Sequence, residues 1–279
     1  MKNLIIILLV ILYPASVWLD HTQVHELEIF FLDIGQGDSI LVKTPDDHYL
    51  LVDGGLGVDV LARLGDVLPF WQRELDVIIA THPDADHIGG LEYLFGRYEI
   101  GQIYYNNFEG GSLLSQEFYR KGQEYSTIAG IDELSDFRLG CCVEVDILWP
   151  LVNQDLEQLE TNDTSVAFVL SYLQFDIFMA GDLPSKYEEM LALPEQAIEV
   201  LKVGHHGNKT STSVEFLADL KPKLAVISCG RDNKFGHPHA EVLKNLQNLA
   251  VMTIRTDQLG TIKLYSDGQS YGYDARMLN

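Results

Sequence analysis

His82-Pro83-Asp84-Ala85-Asp86-His87 decides how this chain is read. Four side chains able to bind a metal stand within six positions. They follow at once on residues 75–80, an apolar strand of the kind buried on both faces. Pro83 opposes a helix there, so the expectation is a loop at a strand end. Four such groups on so short a loop cannot easily converge on one tetrahedral ion. They can serve two ions roughly 3.5–4 Å apart, the two-metal arrangement used for hydrolysis. Two imidazoles with two carboxylates suit divalent ions of the zinc and manganese kind.

Two further strand ends carry similar groups. Asp182 follows the apolar residues 175–180, and His205-His206-Gly207 follows 200–203. A carboxylate at the end of a buried strand is costly unless a cation or several donors meet it. Three strand ends closing on metal-binding residue types point to one shared site, with His82, Asp84, Asp86, His87, Asp182 and either His205 or His206 as its candidates.

Outward from that site the periodicity gives short strands over 27–32, 39–43 and 49–52, with turn chemistry at Pro45-Asp46-Asp47-His48. Helices are expected over 59–70, 88–97 and 113–124, with a strand over 100–105. The second half repeats the plan. Strands are expected over 143–149, 165–172, 175–180, 200–203, 224–228, 251–255 and 261–265, and helices over 186–192, 214–220 and 240–249. This is an α/β chain in which two sheets pack together with helices outside. No linker or low-complexity tract divides the halves, so residues 27–279 read as one domain.

With 279 residues, 47% of them hydrophobic, a sizeable core is available and global disorder is excluded. Three cysteines, Cys141, Cys142 and Cys229, form no disulfide framework and no C-x-x-C zinc motif. They are expected to be small buried hydrophobes. The formal net charge is −22, which repels nucleic acid at long range without excluding it beside bound cations. Between Lys202 and Lys234 the sign reverses. Lys202, Lys209, Lys221, Lys223, Arg231 and Lys234 face only Glu215, Asp219 and Asp232, six positive against three negative, a local +3. That is the expectation of a basic rim for an anionic substrate, nucleic acid among the candidates. Residues 1–26 differ in kind. Lys2 precedes an apolar run from Leu4 to about Leu19, which reads as an export signal or a membrane anchor and places the domain outside the cytoplasm. No protein partner can be inferred.

The stretches FLDIGQGDSILVKTP, LLVDGG, THPDADHIGG, NDTSVAFVLSY, FMAGDL, LKVGHHGNKTSTS and FGHPH together resemble the metallo-β-lactamase superfamily. Within it they resemble the hydrolase domains of ComEC-type competence channels. The resemblance implies an αββα sandwich. It implies that His82 and Asp84 hold one metal, that Asp86 and His87 hold the other, and that Asp182 bridges them. His206, or His205, completes the second site, while Asp53 stands behind the ligands. Apart from the resemblance, the turn Gly35-Gln36-Gly37-Asp38 is expected either to present backbone N–H groups to the site, with Asp38 behind the ligands, or to be a tight turn that needs glycine. Asp84 replaces the superfamily's second histidine. No histidine lies between His87 and His205, so Asn162 and Asp163 occupy the place of another, and Asn162 joins the candidate ligands.

The expected activity is that of a hydrolase using a hydroxide held between two divalent ions, Zn2+ or Mn2+, on phosphodiesters. Asp86 would steer the nucleophile, and His205 or His237 would protonate the leaving oxygen. The alternatives are an esterase or lactam hydrolase of the same fold and a non-catalytic module for DNA uptake.

Overall fold

The computed structural model describes residues 26–108 and 110–276. The expected export or anchor segment, except for Glu26, lies outside the described residues. Among the described residues, no helix is long and apolar enough to cross a membrane.

The first sheet contains β1 (Leu27–Phe31), β2 (Ile40–Lys43), β3 (Tyr49–Val52), β4 (Glu74–Ala80), β5 (Glu99–Tyr105) and β6 (Thr127–Gly130). The second contains β7 (Phe137–Leu139), β8 (Val143–Trp149), β9 (Ala167–Tyr172), β10 (Phe175–Met179), β11 (Val200–Lys202), β12 (Leu224–Ile227) and β13 (Met252–Arg255). The chain then returns to the first sheet through β14 (Thr261–Ser266) and β15 (Tyr271–Arg276). The orders are β15-β14-β1-β2-β3-β4-β5-β6 and β13-β12-β11-β10-β9-β8-β7. The sequence expectation closed the second half on itself. Instead β14 pairs antiparallel with β1, setting Ile262 opposite Phe31. Strands β6, β7 and β15 were not expected, since each is short or only partly buried.

Side-chain alternation separates three cores, as four layers require. On β10, Phe175, Ile177 and Met179 face the space between the sheets, whereas Phe178 faces outward. On β4, Val77 and Ile79 face the inter-sheet space and Ile78 and Ala80 the outer one. The first sheet's outer face is covered by α1 (Asp59–Val67), α2 (Ala85–Ile88) and α3 (Leu113–Tyr125). The second's is covered by α4 (Val214–Leu220) and α5 (Ala240–Asn248). The fold is therefore a mixed α/β, four-layer αββα sandwich.

Two expected helices differ. The 88–97 helix is the single turn α2 followed by a 3-10 turn at Leu91–Tyr93. Pro83 disfavours a helical backbone at His82, and Asp84 stays extended (φ −71°, ψ 147°). From Ala85 onward nothing opposes a helical turn, so Asp86 and His87 sit on α2 and not on an open loop. The expected helix 186–192 is a 3-10 segment, Ser185–Met190.

What matters for function is strand direction. β3, β4, β5 and β6 run parallel, as do β10, β11, β12 and β13. Their C-terminal ends open on one edge of the sandwich, where α/β folds gather functional loops. The inter-sheet core carries that edge, and Phe168 is fully buried within it. Phe168→Ala should cost about 3–5 kcal/mol, read as a lower denaturant midpoint with an unchanged slope. A loss below about 1 kcal/mol would mean that the two sheets do not pack tightly there.

Candidate metal centre

Asp53 directly follows strand β3, and Thr81 directly follows β4. The buried Asp53 carboxylate accepts hydrogen bonds from the Thr81 backbone N–H at 2.8 Å, from Thr81 Oγ1 at 2.7 Å and from His87 Nδ1 at 2.7 Å. Having donated its proton to Asp53, Thr81 Oγ1 receives the Nδ1–H of His82 at 3.0 Å. On the second sheet, His206 Nδ1 donates to the Ser228 carbonyl at 3.1 Å, just beyond β12. Each imidazole is thus held by Nδ1, which leaves Nε2 with its lone pair directed inward.

Asp182, which follows β10, faces the Nε2 atoms of His87, of His206 and of the neighbouring His205. His87 Nε2 lies 3.3 Å from Asp182 Oδ2, His206 Nε2 3.5 Å and His205 Nε2 3.7 Å. The Asp86 carboxylate comes within 3.5 Å of His206 Nε2, and Asp84 within 3.7 Å of His82 Nε2. Two ligands 2.0–2.2 Å from one tetrahedral ion stand roughly 3.3–3.6 Å apart. Most of these separations fall in that range, and they are long for hydrogen bonds. The Nε2 atoms of His82, His87 and His206 and Asp182 Oδ1 are buried and have no hydrogen-bond partner. Such groups are costly unless a cation meets them. Two overlapping sets, His82–His87–Asp182 and Asp86–His87–His206, bring one donor atom from each member within 4.8 Å of the others. This donor set fits divalent metal ions.

The electrostatics agree. Burial alone would raise Asp182, yet His206, His87 and His82 hold its carboxyl well below the usual range. Burial opposes charge on His87 and His206, but Asp182 raises both, helped by Asp53 at His87 and by Asp38 at His206. His87 lies well above its ordinary value and His206 is pushed up to about 9. Burial, then His87, lowers His82 to about 3. Without a cation, two imidazoles of the site therefore carry protons at neutral pH.

The other expected residues fall variously. Asp38 is buried in an ion pair with Lys202 and stands 3.5 Å from His206 Nδ1. Its backbone N–H donates to the Asp86 carbonyl at 3.2 Å. Gly37 (φ +114°) lies so close to that carbonyl that a Cβ would meet its oxygen at 2.0 Å. Gly37 thus seats α2 against the first sheet. Asn162 faces His205 at 3.5 Å. Its neighbour Asp163 is turned away, bound by Lys186 at 2.7 Å and Tyr187 at 3.0 Å. His237 is buried, its ring centroid 5.7 Å from His205 and 6.1 Å from His206. Burial and the His206 charge lower it to about 4, and burial also lowers His205. Both are neutral imidazoles near pH 7.

His205 (φ 49°, ψ 45°) and His206 (φ 55°, ψ 22°) are consecutive left-handed residues. Each such conformation costs about 1–3 kcal/mol and persists only where its surroundings enforce it. His205 N–H donates to the Gly181 carbonyl at 3.1 Å, Ser211 Oγ to the Gly204 carbonyl at 2.9 Å, and Thr212 Oγ1 accepts from Gly204 N–H at 3.1 Å. The turn aims both rings at Asp182.

The expected basic rim needs correction. Lys202 is buried against Asp38 and the Gly181 carbonyl, so it supports the site from behind. Lys221 and Lys223 precede β12 and lie at the opposite edge, Lys223 being 3.6 Å from Glu199. Lys209, Arg231 and Lys234 remain exposed on the site's side. Sequence reasoning missed Thr81, Lys202 and Ser228 as supports. The signal for Lys202 was a lone charge inside an apolar strand.

Asp182→Ala should weaken both ion sites together, read as a fall in total stoichiometry by elemental analysis, because its carboxylate faces both ligand sets. Full retention of one ion would contradict that placement. Metal binding must displace the protons of His87 and His206. Affinity should therefore rise roughly tenfold per pH unit for each proton displaced, up to the His206 value near 9. A pH-independent affinity by calorimetry would contradict the raised imidazoles.

The family model of the Metallo-beta-lactamase superfamily matches residues 32–138, the stretch that carries Asp38, Asp53 and the His82–His87 segment. Among curated proteins, the chain is 29% identical over 263 residues to ComE operon protein 3 of Bacillus subtilis, covering 85% of this chain and 33% of that protein. It is 28% identical over 244 residues to Recombination protein 2 of Haemophilus influenzae, covering 84% and 28%. The chain thus spans about a third of the length of these relatives. The solved structure of Zn(2+)-bound PqqB from Methylobacterium extorquens superposes with a TM-score of 0.51 at 13% identity, covering 79% of this chain and 85% of that one. At that identity the likeness speaks for the fold alone. The chain is thus similar to the Metallo-beta-lactamase superfamily over residues 32–138 and, over most of its length, to these two curated proteins and to Competence protein ComA of Neisseria gonorrhoeae.

Proposed function

We propose that this domain is a two-metal hydrolase of phosphodiesters. The observation that carries this reading is the cluster of inward-facing His82, His87 and His206 Nε2 atoms around Asp182, all buried and without hydrogen-bond partners. In this reading His82 and Asp84 hold one ion, Asp86, His87 and His206 hold the other, and Asp182 faces both. When bound, such ions supply an activated water and neutralise the charge that develops on a phosphoryl group.

The chain's own residues supply the rest. Asp53, Thr81 and the Ser228 carbonyl fix the imidazole tautomers, and the Lys202–Asp38 pair backs His206. Asp86, half-exposed beside His206, is placed to orient an incoming nucleophile. His205 and His237, both neutral, donate hydrogen bonds at the leaving oxygen.

Substrate class follows from what adjoins the site. An open cleft of about 420 Å³ beside His205 is lined by Asn162, Asn208 and Thr210, by Glu160 and by the Lys186–Asp163 ion pair. Amide and hydroxyl donors there suit a polar substrate better than an ester or lactam that seeks an apolar pocket, and ions bound at the Asp182 centre would supply the positive charge for an anionic one. The relatives' names refer to competence and recombination, which favours nucleic acid as that chain. The apolar run from Leu4 to about Leu19 favours a location outside the cytoplasm, anchored or released.

The test is hydrolysis of bis(p-nitrophenyl) phosphate and of single- and double-stranded DNA by protein replenished with Mn2+ or Zn2+. Esters and a lactam run in parallel. Phosphodiester turnover that falls at least about a hundredfold in His87→Ala is expected. Turnover of esters or lactams alone, or none with both ions loaded, would contradict the proposal.

A further inference from the structure

At the opposite end of the sandwich, two hairpin turns from different sheets meet. Asp46 and His48 lie on the turn between β2 and β3, and Gly140, Cys141 and Cys142 on the turn between β7 and β8. The sequence reading took the cysteines as buried hydrophobes. That holds for Cys229, whereas Cys141 is exposed and Cys142 half-buried. The turns are locked together. Asp46 Oδ2 accepts the Cys141 backbone N–H at 2.7 Å, and Asp46 Oδ1 accepts Thr44 Oγ1 at 2.7 Å. Gly140 (φ +62°) leaves the space that this carboxylate occupies, since a Cβ there would stand 2.3 Å from Asp46 Oδ1.

The result is a cluster of donors. The Cys141 and Cys142 sulfurs and an Asp46 oxygen all lie within 4.8 Å of one another. His48 Nδ1 stands 3.5 Å from Asp46 Oδ2, is shielded from solvent and has no hydrogen-bond partner. Two thiolates and a carboxylate form a three-donor set for a soft or borderline divalent ion, with a position left for water or for the adjacent His48. We propose that Asp46, Cys141 and Cys142 form a separate thiolate-bearing site for one ion of the zinc class.

Burial raises the Cys142 thiol to about 12, and its neighbours Cys141 and Asp46 add to the effect. A cation reverses that balance: on binding, each thiol gives its proton to solvent and each sulfur joins the ion as thiolate. The site would tie the first sheet to the second at the end remote from Asp182. It does not depend on the hydrolytic reading.

The experiment titrates the reduced, metal-stripped full chain with Co2+, carried well past the capacity of the Asp182 centre. No cysteine lies among that centre's candidate ligands, so a near-ultraviolet thiolate-to-cobalt charge-transfer band reports this site alone. The band should saturate at one equivalent and persist in Asp182→Ala and in Cys229→Ser. It should vanish in Cys142→Ser and weaken by about tenfold or more in affinity in Asp46→Asn. Three results would overturn the proposal: no band under excess Co2+, a band that survives in the Cys141→Ser/Cys142→Ser double variant, or a vicinal disulfide that persists under reductant and blocks binding.

Discussion

Asp182 brings a carboxylate into a buried space shared with three imidazole nitrogens whose other sides are already satisfied. In a low-dielectric interior that arrangement is costly unless positive charge enters. Protons on His87 and His206 are one source, and divalent cations are the other and stronger one. Nearly every local feature follows from this constraint. Asp53 and Thr81 hold two of the rings by Nδ1, the Ser228 carbonyl holds the third, and Lys202 balances the further carboxylate of Asp38.

The four-layer architecture supplies these parts without long loops. Parallel strands in both sheets deliver Asp53, His82, Asp182 and His206 to one edge, each within a few residues of a strand end. Where the geometry demands more, the backbone departs from its preferred states. The left-handed pair His205–His206 is held by bonds from Gly181, Ser211 and Thr212. Strain of that kind is tolerated where function requires direction.

Much of this was legible in the sequence. The His82–His87 segment, Asp182 and His205-His206 each follow an apolar strand, and strand ends can be read from hydrophobic runs and turn residues. Three things were not legible. That Asp86 and His87 lie on a helical turn depends on where Pro83 ceases to constrain the chain. That β14 pairs with β1 is a long-range choice that no local pattern encodes. That Lys202 is buried and not at a rim is decided by Asp38, far away in sequence, and local charge counts are blind to such partners. The cysteines illustrate the same limit, since their surroundings are set by Asp46 across the sheet interface.

The proposed anionic substrate requires that the metal ions, and not the protein surface, offset the charge of so acidic a chain. Cations bound at the centre would invert the field there, and the cleft beside His205 adds the neutral donors Asn162, Asn208 and Thr210. The most direct test of this account is anomalous diffraction from crystals of the protein grown with Mn2+ or Zn2+. The account predicts two peaks roughly 3.5–4 Å apart, both within bonding distance of Asp182, with the Nε2 atoms of His82, His87 and His206 directed at them. Metal-soaked crystals with no peak there, and with His87 and His206 hydrogen-bonded directly to Asp182, would contradict it.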